Sequence, residues 1–267
     1  MKKLLNITLF LVLILISCTR QKQIDDKDNK FVSLSPSITR QIIDLSGEDR
    51  LSGITSFCPA IKNVDIVGTL VNPSIEKILL LNPKMVLMSL EDGAVQKVEA
   101  LKKSGVEIHY FSKNESFEDI HKNYIELAKI IKAEDIAQDK LKQYKHDFEL
   151  LKSAGNESAV FIVSASPLIA ASGKSYIGDI LKNSGYKNEF ENLNVPYPVI
   201  SMESLLSKKP KYIFVMDEQA FEYLKKHPAL SKLPSKMYYV GTENSPYYTL
   251  FDYIETMKIL IGFRTKE

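Results

Sequence analysis

Apolar residues follow two rhythms along the chain. Short apolar runs at 31–34, 51–55, 85–88 and 106–110 have the length of buried strands. Between them apolar positions recur at three and four residues. Ile38, Ile42, Ile43 and Leu45 run up to Gly47, and Ile75, Ile78 and Leu79 follow Ser74 and Glu76. Ser74 reads as an N-cap and Glu76 as a first-turn carboxylate. A further helix is expected over 94–103, ended by Gly105. From 116 the pattern becomes purely helical. Ser116-Phe117-Glu118-Asp119 has the form of a capping box, and Ile120, Tyr124, Leu127 and Ile131 form a stripe. After a break near 133–135 the stripe resumes through Ile136, Leu141, Tyr144, Phe148 and Leu151. That second piece, about 20 residues and so about 30 Å long, is long enough to bridge two lobes. A second alternating set follows: strands at 159–163, 212–215 and 237–240, and helices at 176–183, 202–206, 221–226 and 249–262. Strands alternating with helices predict largely parallel sheets in two α/β halves. Both halves carry a Ser-Pro step after their first strand, Ser35-Pro36 and Ser166-Pro167, with a helix expected next.

The first 30 residues follow neither rhythm. Lys2 and Lys3 precede an apolar stretch over 4–16, interrupted by Asn6 and Thr8. About 13 residues span roughly 20 Å, short of a hydrocarbon core near 30 Å, so residues 1–17 read as a signal peptide rather than a membrane span. The alternative is an uncleaved anchor. The stretch ends in Leu15-Ile16-Ser17-Cys18, which resembles the bacterial lipobox; that resemblance implies a diacylated Cys18 at the mature N-terminus. Residues 18–30 are polar and charged without apolar period, the composition of a flexible tether from a membrane-held lipid.

Composition narrows the function classes. The chain has 267 residues, 45% hydrophobic and 25% charged, which are globular values. Its 35 basic and 33 acidic residues leave a net charge of +2, which Lys2 and Lys3 account for. A neutral body carries no electrostatic footprint for nucleic acid. Two cysteines build no disulfide framework. With Cys18 lipidated, Cys58 is a lone thiol with no His partner, expected as a small, partly buried side chain. The four histidines, His109, His121, His146 and His227, fall on different elements, so no metal cluster is expected. No G-x-S-x-G, H-E-x-x-H or C-x-x-C occurs, so no catalytic residue is assigned; a lipid-anchored α/β enzyme is the remote alternative. Gly173-Lys174-Ser175 fails as a phosphate loop because Leu168 stands where that motif needs its first glycine.

The segments SLSPSITRQIIDLSG, GITSFCP, VGTLVNPSIEKILLLNPKMVLMS and LKKSGVEIHYF, followed by ASGKSYIGDILKNSGYKN and VPYPVISMESLLSKKPKYIFV, occur in a telling order. Together they resemble the substrate-binding lipoproteins of ABC importers for cobalamin and ferric complexes, over roughly residues 31–263. The resemblance implies an α/β fold of two Rossmann-like lobes, 31–114 and 154–267, joined by a single long helix within a helical linker at 115–153. The ligand cleft lies between the lobes. It implies a monomer on the cell envelope, lipid-anchored to a bacterial membrane and facing the periplasm or exterior. Its partners are an ABC permease and ATPase complex, and its cargo is a ferric siderophore or corrinoid, with heme as the alternative. No resident cofactor or metal is implied.

The resemblance also assigns residues. Glu76 and Glu203 open matching helices of the two lobes, where relatives dock onto permease arginines. Tyr197, between Pro196 and Pro198, matches a cleft aromatic. Leu70 and Ser89 stand near the places of two cleft tryptophans of cobalamin binders. Ser37, Phe57, Lys174 and Tyr247 complete the cleft candidates, with Lys174 near an anionic ligand group and Tyr247 or Tyr248 stacking on or ligating a metal chelate. Arg40 stands where relatives commonly carry Glu. It either meets a ligand carboxylate, such as a heme propionate, or is a solvated or lobe-internal charge.

Overall fold

The computed structural model describes residues 30–91, 93, 95–241 and 248–265. The signal segment, Cys18, most of the tether and Tyr247 lie outside the described residues. The first half contains β1 (Phe31–Ser33), α1 (Pro36–Asp44), β2 (Leu51–Ile54), β3 (Asp65–Ile66), α2 (Ile75–Leu81), β4 (Met85–Ser89), α3 (Val95–Lys103) and β5 (Glu107–Phe111). Two helices follow, α4 (Phe117–Ile131) and α5 (Glu134–Leu151). The second half contains β6 (Glu157–Ala165), β7 (Leu168–Ala170), α6 (Tyr176–Asn183), β8 (Tyr186–Asn188), α7 (Met202–Lys208), β9 (Tyr212–Val215), α8 (Glu218–Lys225), β10 (Lys236–Tyr239) and α9 (Leu250–Thr265). No described helix is long and apolar enough to cross a membrane.

The first sheet is parallel throughout, in the order β3-β2-β1-β4-β5. Its inner strands β1 and β4 are buried at every residue, as expected for strands covered by helices on both faces. The second sheet runs β10-β9-β6, with β7 and β8 both against β6. Here one expectation fails. Ser166-Pro167 does not lead into a helix; it turns the chain back so that β7 pairs antiparallel with β6. The apolar run Leu168-Ile169-Ala170 satisfies its backbone groups beside β6 instead. The other edge of β7 takes up the 196–200 segment: Ala170 N–H donates to Pro198 O (3.1 Å) and Ile200 N–H to Leu168 O (2.9 Å).

Between the sheets, Ser116 caps α4 through Asp119 N–H (3.2 Å) and donates to the Asp119 carboxylate (2.7 Å), so the serine half of the expected capping box forms and the carboxylate meets the serine hydroxyl. Lys132 adopts a left-handed conformation (φ 56°) and ends α4. The 18 residues of α5 then run about 27 Å and form the long helix joining the lobes. Gly47, beyond α1, lets the end of α4 approach: a Cβ there would stand 2.9 Å from Ile131 Cδ1.

Asp44, at the end of α1, fixes the first sheet's helices to this linker. Its carboxylate accepts from Tyr124 of α4 (2.6 Å) and from Tyr144 (2.9 Å) and Lys140 (2.5 Å) of α5. Asp179 of α6 does the same for the second half, accepting from Phe117 N–H (3.0 Å) and Tyr253 OH of α9 (2.7 Å). Phe117 stacks on Phe148 at 4.1 Å between ring centroids. Asp44→Ala leaves two largely buried phenols without their acceptor. It is expected to lower the unfolding free energy by about 2–4 kcal/mol, read by urea denaturation. A loss within about 0.5 kcal/mol, the size of an ordinary surface substitution, would show that the cluster is not what holds α1 to the linker.

Candidate functional site

Two cavities lie where the lobes face each other. The first, about 290 Å³, is lined by Leu90 and Glu91 beyond β4, Lys113 to Glu115 beyond β5, and, from the second lobe, Lys174 to Tyr176, Pro196, Tyr197 and Tyr248. Its first wall lies at the C-terminal ends of parallel strands, the usual place for a ligand in α/β folds.

Tyr197 is held by its neighbours in the chain. Pro196 O accepts from Ser172 N–H (2.9 Å) and Pro198 O from Ala170 N–H, so the tyrosine is pinned on both sides to the edge of β7. Its hydroxyl meets that of Tyr248 at 3.1 Å. Tyr248 has a left-handed backbone (φ 59°), uncommon for a bulky side chain, and packs on the Tyr176 ring at 4.8 Å. The other lobe reaches over: Asn114 Nδ2 donates to Tyr248 O (3.4 Å), while Asn123 Nδ2 holds Asn114 Oδ1 (2.7 Å). Burial pushes the Tyr197 and Tyr248 hydroxyls above the ordinary phenol value, and Glu91 adds to the effect. Both are therefore protonated at neutral pH; one donates to the other, which leaves one O–H of the pair to face a ligand. Glu91 is itself fixed, its Oε1 accepting from Asn114 N–H (2.8 Å) and its own N–H donating to Ser89 Oγ (3.2 Å). At the start of α6, Gly178 lets Ser172 O approach so closely that a Cβ would stand 1.9 Å from it, which keeps the Lys174 turn tight.

The second cavity, about 330 Å³, lies between Arg40, Gln41 and Asp44 of α1, Pro59, the Tyr124 and Tyr144 rings of the linker, and residues 249–252 of the other lobe. Thr249 and Asp252 cap α9 reciprocally: Asp252 N–H donates to Thr249 Oγ1 (3.1 Å), whose hydroxyl donates to the Asp252 carboxylate. Burial pushes the Asp252 carboxyl up, opposed by Thr249 and then by the Arg40 guanidinium.

The cavities thus bring together only some of the residues expected in the cleft. Lys174 and Tyr197 line the first, although Lys174 Nζ turns to Asn194 Oδ1 (3.3 Å). Arg40 lines the second and feels a carboxylate of the opposite lobe. Ser37, Phe57, Leu70 and Ser89 line neither. Ser37 is buried against the Ser35 hydroxyl (2.9 Å), Ser89 is 1% exposed, and Phe57 is 62% exposed in the turn after β2. Cys58 is half-buried, with the Thr39 and Thr55 hydroxyls each at 3.2 Å from its sulfur. No group of three metal-ligating side chains occurs among the described residues. Glu91, Asn114 and Asp252 were not anticipated. The one signal for Glu91 and Asn114 is their place just beyond apolar strands.

A family model described as periplasmic binding protein matches residues 32–235. The chain belongs to that family. A vitamin B12-binding protein of Vibrio vulnificus (strain YJ016) is 25% identical over 193 residues, 70% of each chain. Among solved structures, a periplasmic heme-binding protein of Vibrio cholerae aligns with a TM-score of 0.77 at 16% identity, over 88% of this chain and 98% of that one. An ABC transporter substrate-binding protein of Listeria monocytogenes aligns with a TM-score of 0.74 at 17% identity, over 87% and 97%. At these identities the structural likeness speaks for the two-lobed fold.

The two lobes of this periplasmic binding protein share one unit. Helices α2 and α7 each have seven residues and a serine N-cap, Ser74 to Lys77 N–H (3.3 Å) and Ser201 to Ser204 N–H (3.0 Å). Each ends on a left-handed residue, Asn82 or Lys209, then a Pro-Lys step into β4 or β9. Glu76 and Glu203 occupy the same first-turn position, both exposed.

Because folding raises the Asp252 carboxyl, the native state binds that proton more tightly than the unfolded chain does. This favours the fold at low pH and is lost as pH rises through the carboxyl's range. Asp252→Asn is expected to stabilise the protein at pH 7, with the gain vanishing below about pH 4. Urea denaturation at pH 7 and pH 3.5 checks it; lower stability of the variant at pH 7 would mean that the attraction to Arg40 outweighs the cost of burial.

Proposed function

We propose that this chain is the substrate-binding protein of an ABC importer, holding a ferric siderophore or a corrinoid between its lobes and delivering it to a membrane permease and its ATPase. The observation that carries this reading is the first cavity, with walls from both lobes at the ends of strands, in a chain of the periplasmic binding protein family. The vitamin B12- and heme-binding relatives support a bulky metal-bearing ligand. No step of bond chemistry is assigned to the chain.

On this reading the lobes are 31–114 and 154–267, with 115–153 as the linker. Residues 1–17 are a lipoprotein signal peptide, Cys18 carries the lipid, and 18–30 tether a monomeric body outside the cytoplasmic membrane. Glu76 and Glu203 meet permease arginines, one per lobe. Exposed ion pairs of this kind contribute about 0–1 kcal/mol each, so their main effect is on orientation and encounter rate. The carboxylates Asp44 and Asp179, which tie each lobe to the helical linker, support a modest closure on ligand binding.

Visible absorption titration with cobinamide, a ferric hydroxamate and hemin tests the ligand class. Saturable one-to-one binding of the corrinoid or the hydroxamate is the expected result, and silence from all three would remove the reading. In cells, Glu76→Ala with Glu203→Ala is expected to abolish uptake while leaving affinity in solution unchanged, and Cys18→Ala to move the protein out of the membrane fraction. Normal uptake in the double variant would remove the docking role, and continued membrane association of Cys18→Ala would make the apolar segment the anchor.

A further inference from the structure

The mouth of the first cavity carries aliphatic side chains from both lobes. Leu90 lines it from the first lobe and is 48% exposed. Val71, 57% exposed, stands beside the same turn: a Cβ on Gly93 would meet Val71 Cγ1 at 3.3 Å. On the second lobe Val195, 53% exposed, directly precedes the lining residue Pro196. None of the three belongs to a core cluster of the described residues, so packing within the lobes does not require them to be apolar. Their backbones are nonetheless fixed. Val71 sits in a turn after β3 that is closed by Thr69 N–H to Asn72 O (3.2 Å) and by Asn72 N–H to Thr69 O (3.3 Å). Lys97 of α3 holds this turn by donating to Val71 O (2.9 Å) and to Asn72 Oδ1 (3.0 Å). Leu90 N–H donates to Phe111 O (3.0 Å). Val195 lies between Asn194, which accepts from Lys174 Nζ, and Pro196, whose carbonyl accepts from Ser172 N–H. Strands β3 and β4 run parallel in one sheet, so the turns that follow them lie along the same edge.

We infer that Val71, Leu90 and Val195 form an apolar lip that selects a tetrapyrrole, a flat ring with alkyl groups along its rim, over a hydrophilic hydroxamate chelate. The inference rests on the reading of this cleft as the cargo site, and it narrows the cargo within that reading. At about 290 Å³ the cavity is at the small end of ligand pockets, which run from about 300 to 1,000 Å³, so a bulky chelate extends past its mouth and onto the lip. Turn tips ordinarily carry Gly, Asn, Asp, Ser or Pro. Aliphatic side chains held in place there and left in water gain free energy when a ligand covers them. The methyl and other alkyl groups on the rim of a tetrapyrrole supply that cover from both lobes at once. A hydroxamate chelate surrounds its iron with oxygens and amides and gains little from the same contact.

The test titrates cobinamide, hemin and a ferric trihydroxamate into the purified full-length protein in mild detergent. Wild type is compared with a triple variant, Val71→Thr with Leu90→Asn and Val195→Thr. These changes keep the size of each side chain and make it polar, and a thermal melt reports that the fold is retained. The wild type is expected to bind at least one tetrapyrrole one-to-one and more tightly than the hydroxamate. The triple variant is expected to lose roughly tenfold in affinity for that tetrapyrrole, about 1.4 kcal/mol, which corresponds to roughly 60 Å² of apolar surface covered. Its affinity for the hydroxamate is expected to stay as in the wild type. Tighter binding of the hydroxamate than of both tetrapyrroles, or tetrapyrrole affinity unchanged in the variant, would overturn the lip while leaving the cleft reading in place. Unchanged affinity together with impaired uptake in cells would overturn it too, and would assign the three side chains to a contact with the permease. No binding of any probe to the wild type would remove the cleft reading and the inference with it.

Discussion

Asp44 attaches the first lobe to both linker helices and Asp179 attaches the second lobe to the start of the first of them, and the geometry of the cleft follows from that attachment. Asp44 of the first lobe accepts from Tyr124, Tyr144 and Lys140 of the linker, and Asp179 of the second lobe accepts from the linker's Phe117 N–H and from Tyr253 of its own lobe. Hydrogen bonds to an ionised acceptor in a partly desolvated place are stronger and more directional than those at a surface. The apolar core does not stop at the boundary either. One cluster of buried side chains runs from Phe31 and Ile42 of the first lobe through Tyr124 and Phe148 of the linker to Phe161 and Met257 of the second. A change in the angle between the lobes must therefore disturb both packing and these carboxylate contacts.

Aromatic packing carries the same frame into the cleft. Phe148 stacks on Phe117, which meets Tyr253 at 5.3 Å; Tyr253 meets Tyr176 at 5.4 Å, and Tyr176 carries Tyr248 at 4.8 Å. Edge-to-face and tilted contacts of this kind hold large rings with little freedom. The Tyr197–Tyr248 hydroxyl pair at the cavity wall is thus the exposed end of a packed series that starts at the linker. A cleft built on rigid elements presents its polar groups in fixed positions, which is how a small number of them can discriminate between large ligands.

Most helix starts were legible because the cause is local. Ser74, Ser116, Ser175 and Ser201 each satisfy a backbone N–H within their own first turn, so a few residues are enough to announce the helix. The equivalence of Glu76 and Glu203 was legible for the same reason. The hairpin at Ser166-Pro167 was not, because its strand β7 gains its partners from β6 and from the distant 196–200 segment.

The chain's own pattern determined the two α/β halves, the helical middle with its break, and the parallel strands, since burial periodicity and capping act over a few residues. Its segments, read together, also pointed to the family. Only the tertiary structure decided which chemistry faces the cleft. It brought Glu91, Asn114, Tyr197 and Tyr248 to one cavity, sent Arg40 to another with Asp252, and buried Ser37 and Ser89. Those outcomes depend on contacts between residues as far as 134 positions apart, as between Asn114 and Tyr248. The residue types along the chain do not encode which of them meet until both lobes are packed on the shared helices.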